Sequence, residues 1–424
     1  MPVISTASLK KGSQTVLGAY RGATPAYNAR SFYRDFAQLK TLNHGVGPNI
    51  NFTRGSQATY FDANGVLQTA STDVPRFDHS GGSSLGLLIE EARTNLLASS
   101  KTFSGFSGGG WTSVTDDHSA SPDGTTTASL FEWSAVANSY KLASTTVTNI
   151  AAATYTTTAF VKPVSGTGVI GVRVGRNDGS QFVESQLNLQ TNANTSLTVG
   201  ADVSGAVVSA QSVGNGWYRL SATGTFSNSY ANFGANINAA SGSGSCLAWG
   251  VQLEAGAFPT SYIPTTSAAV TRNADLAIVN PVTSFVNQSQ GTLFSEFRTG
   301  AGFPVAAAFV LDADAIGDRV GIFASGATQV AINNVFTSVG SFSPTPNTIF
   351  KAILGYEAFN HASSINGQTA QGNTSVGVPI NLSYLRIGCE GGLGFTSAQL
   401  CGHIRKIAYY PKRLSNALLQ SLTT

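Results

Sequence analysis

The sequence predicts an all-β protein: two tandem β-sandwich (jelly-roll) domains preceded by an extended N-terminal attachment arm. Three observations lead there. The chain has 424 residues, too many for one hydrophobic core, since single domains usually run about 100 to 200 residues. Charged residues make up only 11%, less than half the ordinary share of about 25%. Gly, Ser, Thr, Ala and Asn fill the gap, and that bias favours strands and turns over solvent-facing helices. Last, short β-branched and aromatic runs recur between turn clusters along most of the chain, as in sandwiches and jelly rolls.

Residues 1–50 are assigned to the arm. Residues 1–55 hold Lys10, Lys11, Arg21, Arg30, Arg34, Lys40 and Arg54 against Asp35 alone, a net +6. The whole chain sums to +3, so the remainder is −3. A basic leader on a mildly acidic body suits docking to an acidic partner. Within it, Ser31 to Leu39 has helical spacing, with Ser31 as N-cap and Phe32, Phe36 and Leu39 on one face. Lys10, Lys11, Arg21, Arg30, Phe32, Arg34 and Phe36 are therefore the candidate docking residues, with the aromatics marking an interface.

Residues 51–94 read as a connector. Asp62-Ala63-Asn64-Gly65 lies between two β-rich runs, and Asn-Gly is a strong hairpin signal. Residues 95–275 read as the first sandwich. Ile170, Val172 and Val174 share one face of a strand, as do Tyr218, Leu220 and Ala222, which leaves Trp217 and Arg219 opposite. Leu247, Trp249, Val251 and Leu253 alternate with smaller or polar residues, and Trp249 is expected in the core. Asn177-Asp178-Gly179 and Gly214-Asn215-Gly216 are turns. Residues 276–424 read as the second sandwich, closed by the strand Gly402 to Tyr410 and a short helix capped by Ser415 that carries Leu418, Leu419 and Leu422. No 20- to 50-residue repeat supports a solenoid or propeller.

Several chemistries lack support in the sequence. No apolar run nears the roughly 18 residues of a membrane helix, so no membrane insertion is expected. Met1-Pro2-Val3-Ile4-Ser5 is not a secretory leader. Cys246, Cys389 and Cys401 are odd in number and lack metal-ligand spacing; they suit free thiols made in a reducing cytoplasm, and a Cys389–Cys401 bridge is the minor alternative. There is no Walker loop, no dinucleotide fingerprint, no nucleophile elbow and no DNA-binding motif, and no nucleic-acid partner is expected. Glu90-Glu91 and Asp116-Asp117 are neighbours in extended chain, which turns each pair to opposite faces and makes a poor acid–base couple. His44, His79, His118, His361 and His403 are scattered. The chain is accordingly expected not to be an enzyme. Asp312-Ala313-Asp314-Ala315-Ile316-Gly317-Asp318 sets acids at alternate positions beside a glycine. Asp312, Asp314 and Asp318 are candidate Ca²⁺ ligands, a plain turn being the other reading, and no further cofactor is expected. Trp111, after a glycine run, and Trp217 with Arg219 are the candidate glycan platform, because sugar rings stack on exposed aromatic faces.

Three segments carry a resemblance. Phe52-Thr53-Arg54-Gly55-Ser56-Gln57-Ala58-Thr59-Tyr60, with Gly86-Leu87-Leu88-Ile89-Glu90-Glu91-Ala92-Arg93-Thr94-Asn95-Leu96, resembles a connector common in bacteriophage fibre and head-spike proteins. Val251-Gln252-Leu253-Glu254-Ala255-Gly256, with Thr260-Ser261-Tyr262-Ile263-Pro264-Thr265, is similar to the closing strand of the carbohydrate-binding-type jelly rolls in those proteins. Gly402-His403-Ile404 through Tyr410-Pro411 and Leu414-Ser415 is similar to the last strand of laminin-G or concanavalin-like sandwiches. The resemblance implies a structural protein of the virion surface, a tail fibre or head spike, often a homotrimer. It would be lectin-like, docked by its arm to capsid, portal or fibre components and presenting sandwiches to host-surface glycans. A capsid decoration protein without glycan binding and a virion-associated polysaccharide depolymerase are the alternatives.

Overall fold

The computed structural model describes residues 30–103, 111–134, 142–300, 307–314, 317–390 and 399–424, with the backbone alone at 142–145. It is all-β, in antiparallel sheets. One sandwich is the jelly roll. Its six-stranded sheet runs, in order, Val203–Gly214, Trp217–Phe226, Ala153–Gly166, Gly244–Ala255, Thr126–Trp133 and Ser113–Ala120. Its five-stranded sheet runs Leu142–Val147, Phe233–Ser241, Val169–Arg176, Phe182–Asn188 and Asn194–Val199. Period-2 alternation turns Ile170, Val172, Val174, Leu220, Ala222, Val251 and Leu253 inward, where they pack with Phe131, Phe226 and Phe233. The turn at Asn215-Gly216 joins Gly214 to its partner Trp217 through two residues with φ of 53° and 78°, the type I′ geometry that matches strand twist.

The other sandwich draws on both ends of the chain. Its seven-stranded sheet includes Ala307–Asp312, Tyr384–Ile387 and Leu276–Val279 and ends on Asn51–Thr53. Its nine-stranded sheet sets Phe32–Asp35 beside Gly402–Tyr410, which pairs in turn with Gln290–Thr299. The hairpin Arg76–Ser80 and Ser83–Ile89 joins at Gly402 to Ile404. The jelly roll is thus an insertion. The chain enters it at Arg93–Asn95 and leaves at Val270–Arg272, and those two strands pair with Asn95 opposite Val270.

The N-terminal expectation needs correction from residue 30 onward. Phe32 and Phe36 are fully buried in the second core, and Phe32 stacks on Phe285 at 5.4 Å. Only Phe36–Leu39 is helical, capped by Asp35 rather than Ser31. A strand beside Gly402–Tyr410 satisfies backbone donors and buries both rings, and this outweighs the helical spacing. Arg34, expected to dock a partner, is 1% exposed. It donates to the carbonyls of Leu42, Tyr33, Val46 and Pro48 at 2.6, 2.7, 2.6 and 2.5 Å, and burial pulls its pKa down to about 10. Arg30 lies over the Tyr33 ring at 3.9 Å. Lys10, Lys11 and Arg21 lie outside the described residues.

The C-terminal helix Asn416–Thr423 follows Ser415, whose side chain makes no capping bond. Leu419, with Leu418 and Leu422, packs on Phe294, Ile353 and Tyr410 on the outer face of the nine-stranded sheet.

A buried ionic clasp ties the insertion to its host sandwich. Asp275 accepts from Arg54 at 3.1 Å and from Arg76 at 2.5 Å. Arg76 also reaches Glu90 at 2.7 Å, and Arg272 stands 3.6 Å from the same carboxylate. The backbone N–H of Ser261 donates to Glu90 at 2.7 Å and its hydroxyl at 2.6 Å. None of these charged side chains exceeds 6% exposure. Burial alone would raise the Glu90 carboxyl, but Arg272, Arg76 and Ser261 outweigh it and hold it far below the usual range.

Two outcomes follow. Glu90→Gln leaves Arg76 and Arg272 short of an anion and lowers unfolding free energy at neutral pH by about 3–5 kcal/mol in urea melts. A carboxyl depressed in the folded state stabilises above its unfolded pKa, near 4.5, and the contribution is lost as pH falls toward the folded value. The gap between wild type and variant therefore narrows below that pH. The three cysteines are free and buried; burial pushes Cys389 up to about 11 and raises Cys246 and Cys401 as well. Ellman's reagent at pH 8 should leave all three untouched in the native protein and label all three after denaturation.

Candidate functional site

The outer face of the six-stranded sheet is where the two sandwiches meet. On the strand Gly244–Ala255, Val251 and Leu253 face the jelly-roll core, whereas Leu247 and Trp249 face the opposite way. Gly250, with φ of 64°, and a register shift between Thr158 and Phe160 make the switch, because one extra residue in a strand reverses every following side chain. A layer of Phe160, Trp217, Leu247, Trp249 and Tyr262 results, roofed by Leu67 and Phe61 of the hairpin Ala58–Phe61 and Leu67–Ala70. Trp249 sits 4.7 Å from Tyr262 and 5.6 Å from Phe160, ring to ring.

Beside this layer a cavity of about 150 Å³ opens between the sandwiches. The jelly roll contributes Arg219 and Gln211, the loop after it Thr260 and Ser261, the hairpin of Arg76–Ser80 and Ser83–Ile89 Asp78 and His79, and the strands Gln290–Thr299 and Gly402–Tyr410 Arg298 and His403. Register explains the last group: His403 stands opposite Arg298 on one side and Leu88 on the other. Asp78 is two residues along the hairpin from Arg76, so the clasp fixes its position.

The polar groups of the cavity divide into satisfied and unsatisfied. Asp78 accepts from the Phe61 N–H at 2.8 Å and from His403 Nε2 at 2.9 Å. Glu90 is engaged by the clasp. Arg219 donates to Thr158 Oγ1 at 3.0 Å and to the Thr260 carbonyl at 2.6 Å, but its Nε has no partner among the described residues. Arg298 donates to Asn347 Oδ1 at 3.0 Å, and its Nε is likewise unmatched. Burial lowers both guanidinium pKa values; Glu254, Glu90 and Asp78 act against it at Arg219, and Asp78 acts against it at Arg298. His79 is 7% exposed. Its Nδ1 lies 3.2 Å from the Phe61 carbonyl, and its Nε2 has no partner among the described residues. Arg219, Arg298 and His79 thus line the cavity with side chains whose remaining nitrogens are buried without a partner among the described residues.

The residues expected from sequence fall elsewhere, with one exception. Arg219 lines the cavity. Trp217 does not: it is 3% exposed, sealed under the hairpin layer. Trp111 is half buried, edge-on to Phe131 at 5.0 Å and Trp133 at 5.8 Å, at the border of the jelly-roll core. Stacking platforms need open faces; those of Trp217 are covered, and Trp111 does not line the cavity. Asp312 and Asp314 both pair with Arg386, at 2.7 and 2.6 Å, so a guanidinium stands where calcium was expected. Asp318 turns instead to the Asn333 N–H at 3.1 Å. Among the described residues, no cluster of three or more His, Cys, Asp or Glu is placed to hold a metal. Asp78, His79, Arg298 and His403 were not singled out as site residues. They come from segments far apart in the chain, and only the register of three strands unites them.

No family model matches the chain, and no curated protein matches it. Among solved structures it is similar to the NanB sialidase of Streptococcus pneumoniae, 16% identical over 35% of this chain with a TM-score of 0.29. The chain spans only 26% of that enzyme's length. It is similar also to the carbohydrate-binding module of the Ruminococcus gnavus IT-sialidase, bound there to α2,3-sialyllactose, at 12% identity over 34% of this chain and 90% of the module, TM-score 0.29. Mouse laminin α1 domains LG4-5 match at 11% identity over 76% of this chain and 96% of theirs, TM-score 0.22. Superpositions this slight lend the chain no ligand, residue role or activity. They do correct one expectation: with sialidases among the similar structures, the exclusion of enzymatic activity is withdrawn.

Proposed function

We propose that this chain is a surface fibre or spike subunit of a bacteriophage particle, and that it adheres to host-surface glycans through the cleft between its sandwiches. The observation that carries the adhesion reading is the cavity itself. It is a concave, partly polar site lined by Gln211, Arg219, Thr260, Arg298 and His403, side chains of a kind that bonds the hydroxyl-rich surface of a sugar. The appendage reading rests on the connector and jelly-roll segments that resemble phage fibre and spike proteins. In the fold those segments supply Arg54, Glu90 and Ser261 of the clasp. A rigid joint between modules suits a projecting subunit, and scarce surface charge suits one packed among copies of itself and other virion proteins. Homotrimeric assembly would multiply weak single-site contacts into useful avidity. Residues 1–29, with Lys10, Lys11 and Arg21, would then serve the docking role.

The test has two readouts on the full chain. Antibody labelling of intact particles in the electron microscope should place the protein at the tail tip or head surface, and absence from particles contradicts the appendage reading. On host-surface polysaccharide, the protein should bind, and Gln211→Trp, which fills the cleft from an exposed position, should abolish binding without lowering Tm. Unchanged binding by that variant moves the site elsewhere. Particle-bound protein that holds no glycan is a decoration protein. Chromatography of the incubated glycan separates holding from cleaving.

A further inference from the structure

We infer that copies of this chain pack against one another through a charge-free apolar patch on the host sandwich, centred on Val335, Phe359 and Ile380. This deepens the assembly part of the proposed function and rests on it; the glycan cleft is a separate surface. The three side chains are 65%, 62% and 67% exposed, more than any other large apolar side chain among the described residues. They surround one loop, residues 374–382. The Phe359 N–H donates to the Val376 carbonyl at 2.8 Å. A Cβ at Gly377 would stand 3.9 Å from Ile332 Cδ1, and Ile332 pairs with Val335 across a two-residue turn. Ile380 follows in the same loop. Exposed apolar residues scattered singly are ordinary, but residues joined in this way mark an interaction surface. The loop is also pinned. His361 Nε2 lies 2.7 Å from the Gly377 carbonyl and 3.2 Å from that of Val376, and Gln288 bonds the N–H and the carbonyl of Leu382, each at 2.9 Å. Groups fixed before contact lose little freedom on association.

Charge decides the occupant. Residues 320–350 and 358–385, which build this end of the sandwich, contain no Asp, Glu, Lys or Arg. A surface for a charged partner carries the opposite charge, and one for an anionic bilayer sets Lys or Arg beside its apolar groups. A surface that meets its own copy faces identical charges, so a patch without ionised groups meets no repulsion. Ionised groups border it instead: Glu357 accepts from Asn360 at 2.7 Å, and Asp318 accepts from the Asn333 N–H at 3.1 Å. An apolar centre within a polar rim is the anatomy of a protein interface. Two sheet edges end beside it. Val335–Ser341 closes the seven-stranded sheet and Gln371–Asn373 the nine-stranded one, with Asn373 Nδ2 3.5 Å from the Ser338 carbonyl. Neither strand holds the Lys or Pro that guards a free edge.

The experiment measures the molar mass of the full chain by light scattering over a wide range of concentration. Wild type should run at two or three times the mass of one chain. Phe359→Glu and Ile380→Glu, each at a position where the side chain faces solvent, should keep the wild-type circular dichroism and weaken association about 10-fold or more. The double variant should run as a single chain. Val207→Glu, at a 55% exposed position on the jelly roll, should leave the mass unchanged. Assembly that survives both charged variants, or that Val207→Glu disrupts equally, overturns this surface and leaves self-association standing. A wild type of single-chain mass throughout overturns the surface and self-association together, whatever else then covers the patch. Glycan binding and particle labelling are read separately and survive either result.

Discussion

The arrangement of this protein depends on one buried ionic cluster: Arg54, Arg76 and Arg272 around Asp275 and Glu90. Its members come from the first strands of the host sandwich, from the hairpin of Arg76–Ser80 and Ser83–Ile89 and the residue after it, and from the segment that leaves the jelly roll. Five charges taken out of water are costly, and their mutual attraction repays that cost only when every lone pair and proton is matched. Here the matching extends to Ser261 and to the Glu90 N–H, which donates to Asp275 at 2.9 Å, but the Nε atoms of Arg76 and Arg272 stay without a hydrogen-bond partner among the described residues. Such a cluster tolerates one geometry, which makes it a device for specifying the joint rather than a cheap source of stability.

Around the clasp, the apolar layer of Trp217, Trp249, Phe160 and Tyr262 closes the outer face of the six-stranded sheet. A jelly roll alone would leave those rings in water. Burying a large apolar side chain is worth about 1.5–3 kcal/mol, so the layer supplies adhesion that the clasp directs. The same contact leaves a gap where hairpin, loop and both sheets fail to close. Arg219, His79 and Arg298 line that gap, and the proposed site is therefore a product of the joint.

Much of this was legible in the sequence. Alternation at Ile170, Val172 and Val174 marked core faces correctly, and Asn215-Gly216 and Asn64-Gly65 marked real hairpins. What escaped was everything set by long-range pairing. Phe32 and Phe36 read as interface residues because their partner strand lies more than 350 residues onward. Trp217 read as exposed because period 2 reports which face a residue occupies and not what covers that face. The alternating acids at 312, 314 and 318 looked like calcium ligands because Arg386 is invisible as their neighbour until Tyr384–Ile387 pairs with Ala307–Asp312. Of the cleft, Arg219 alone was singled out, since a local turn and a tryptophan drew attention to it.

The central claim is that clasp and layer weld the two sandwiches into one unit with the cleft at its seam. Differential scanning calorimetry of wild type and Asp275→Ala tests it most directly. The account predicts one cooperative transition for wild type. In the variant, Arg54 and Arg76 lose their shared anion, and two separate transitions are expected, one for each sandwich. Two transitions in wild type, or a single transition that Asp275→Ala leaves unmoved, would contradict it.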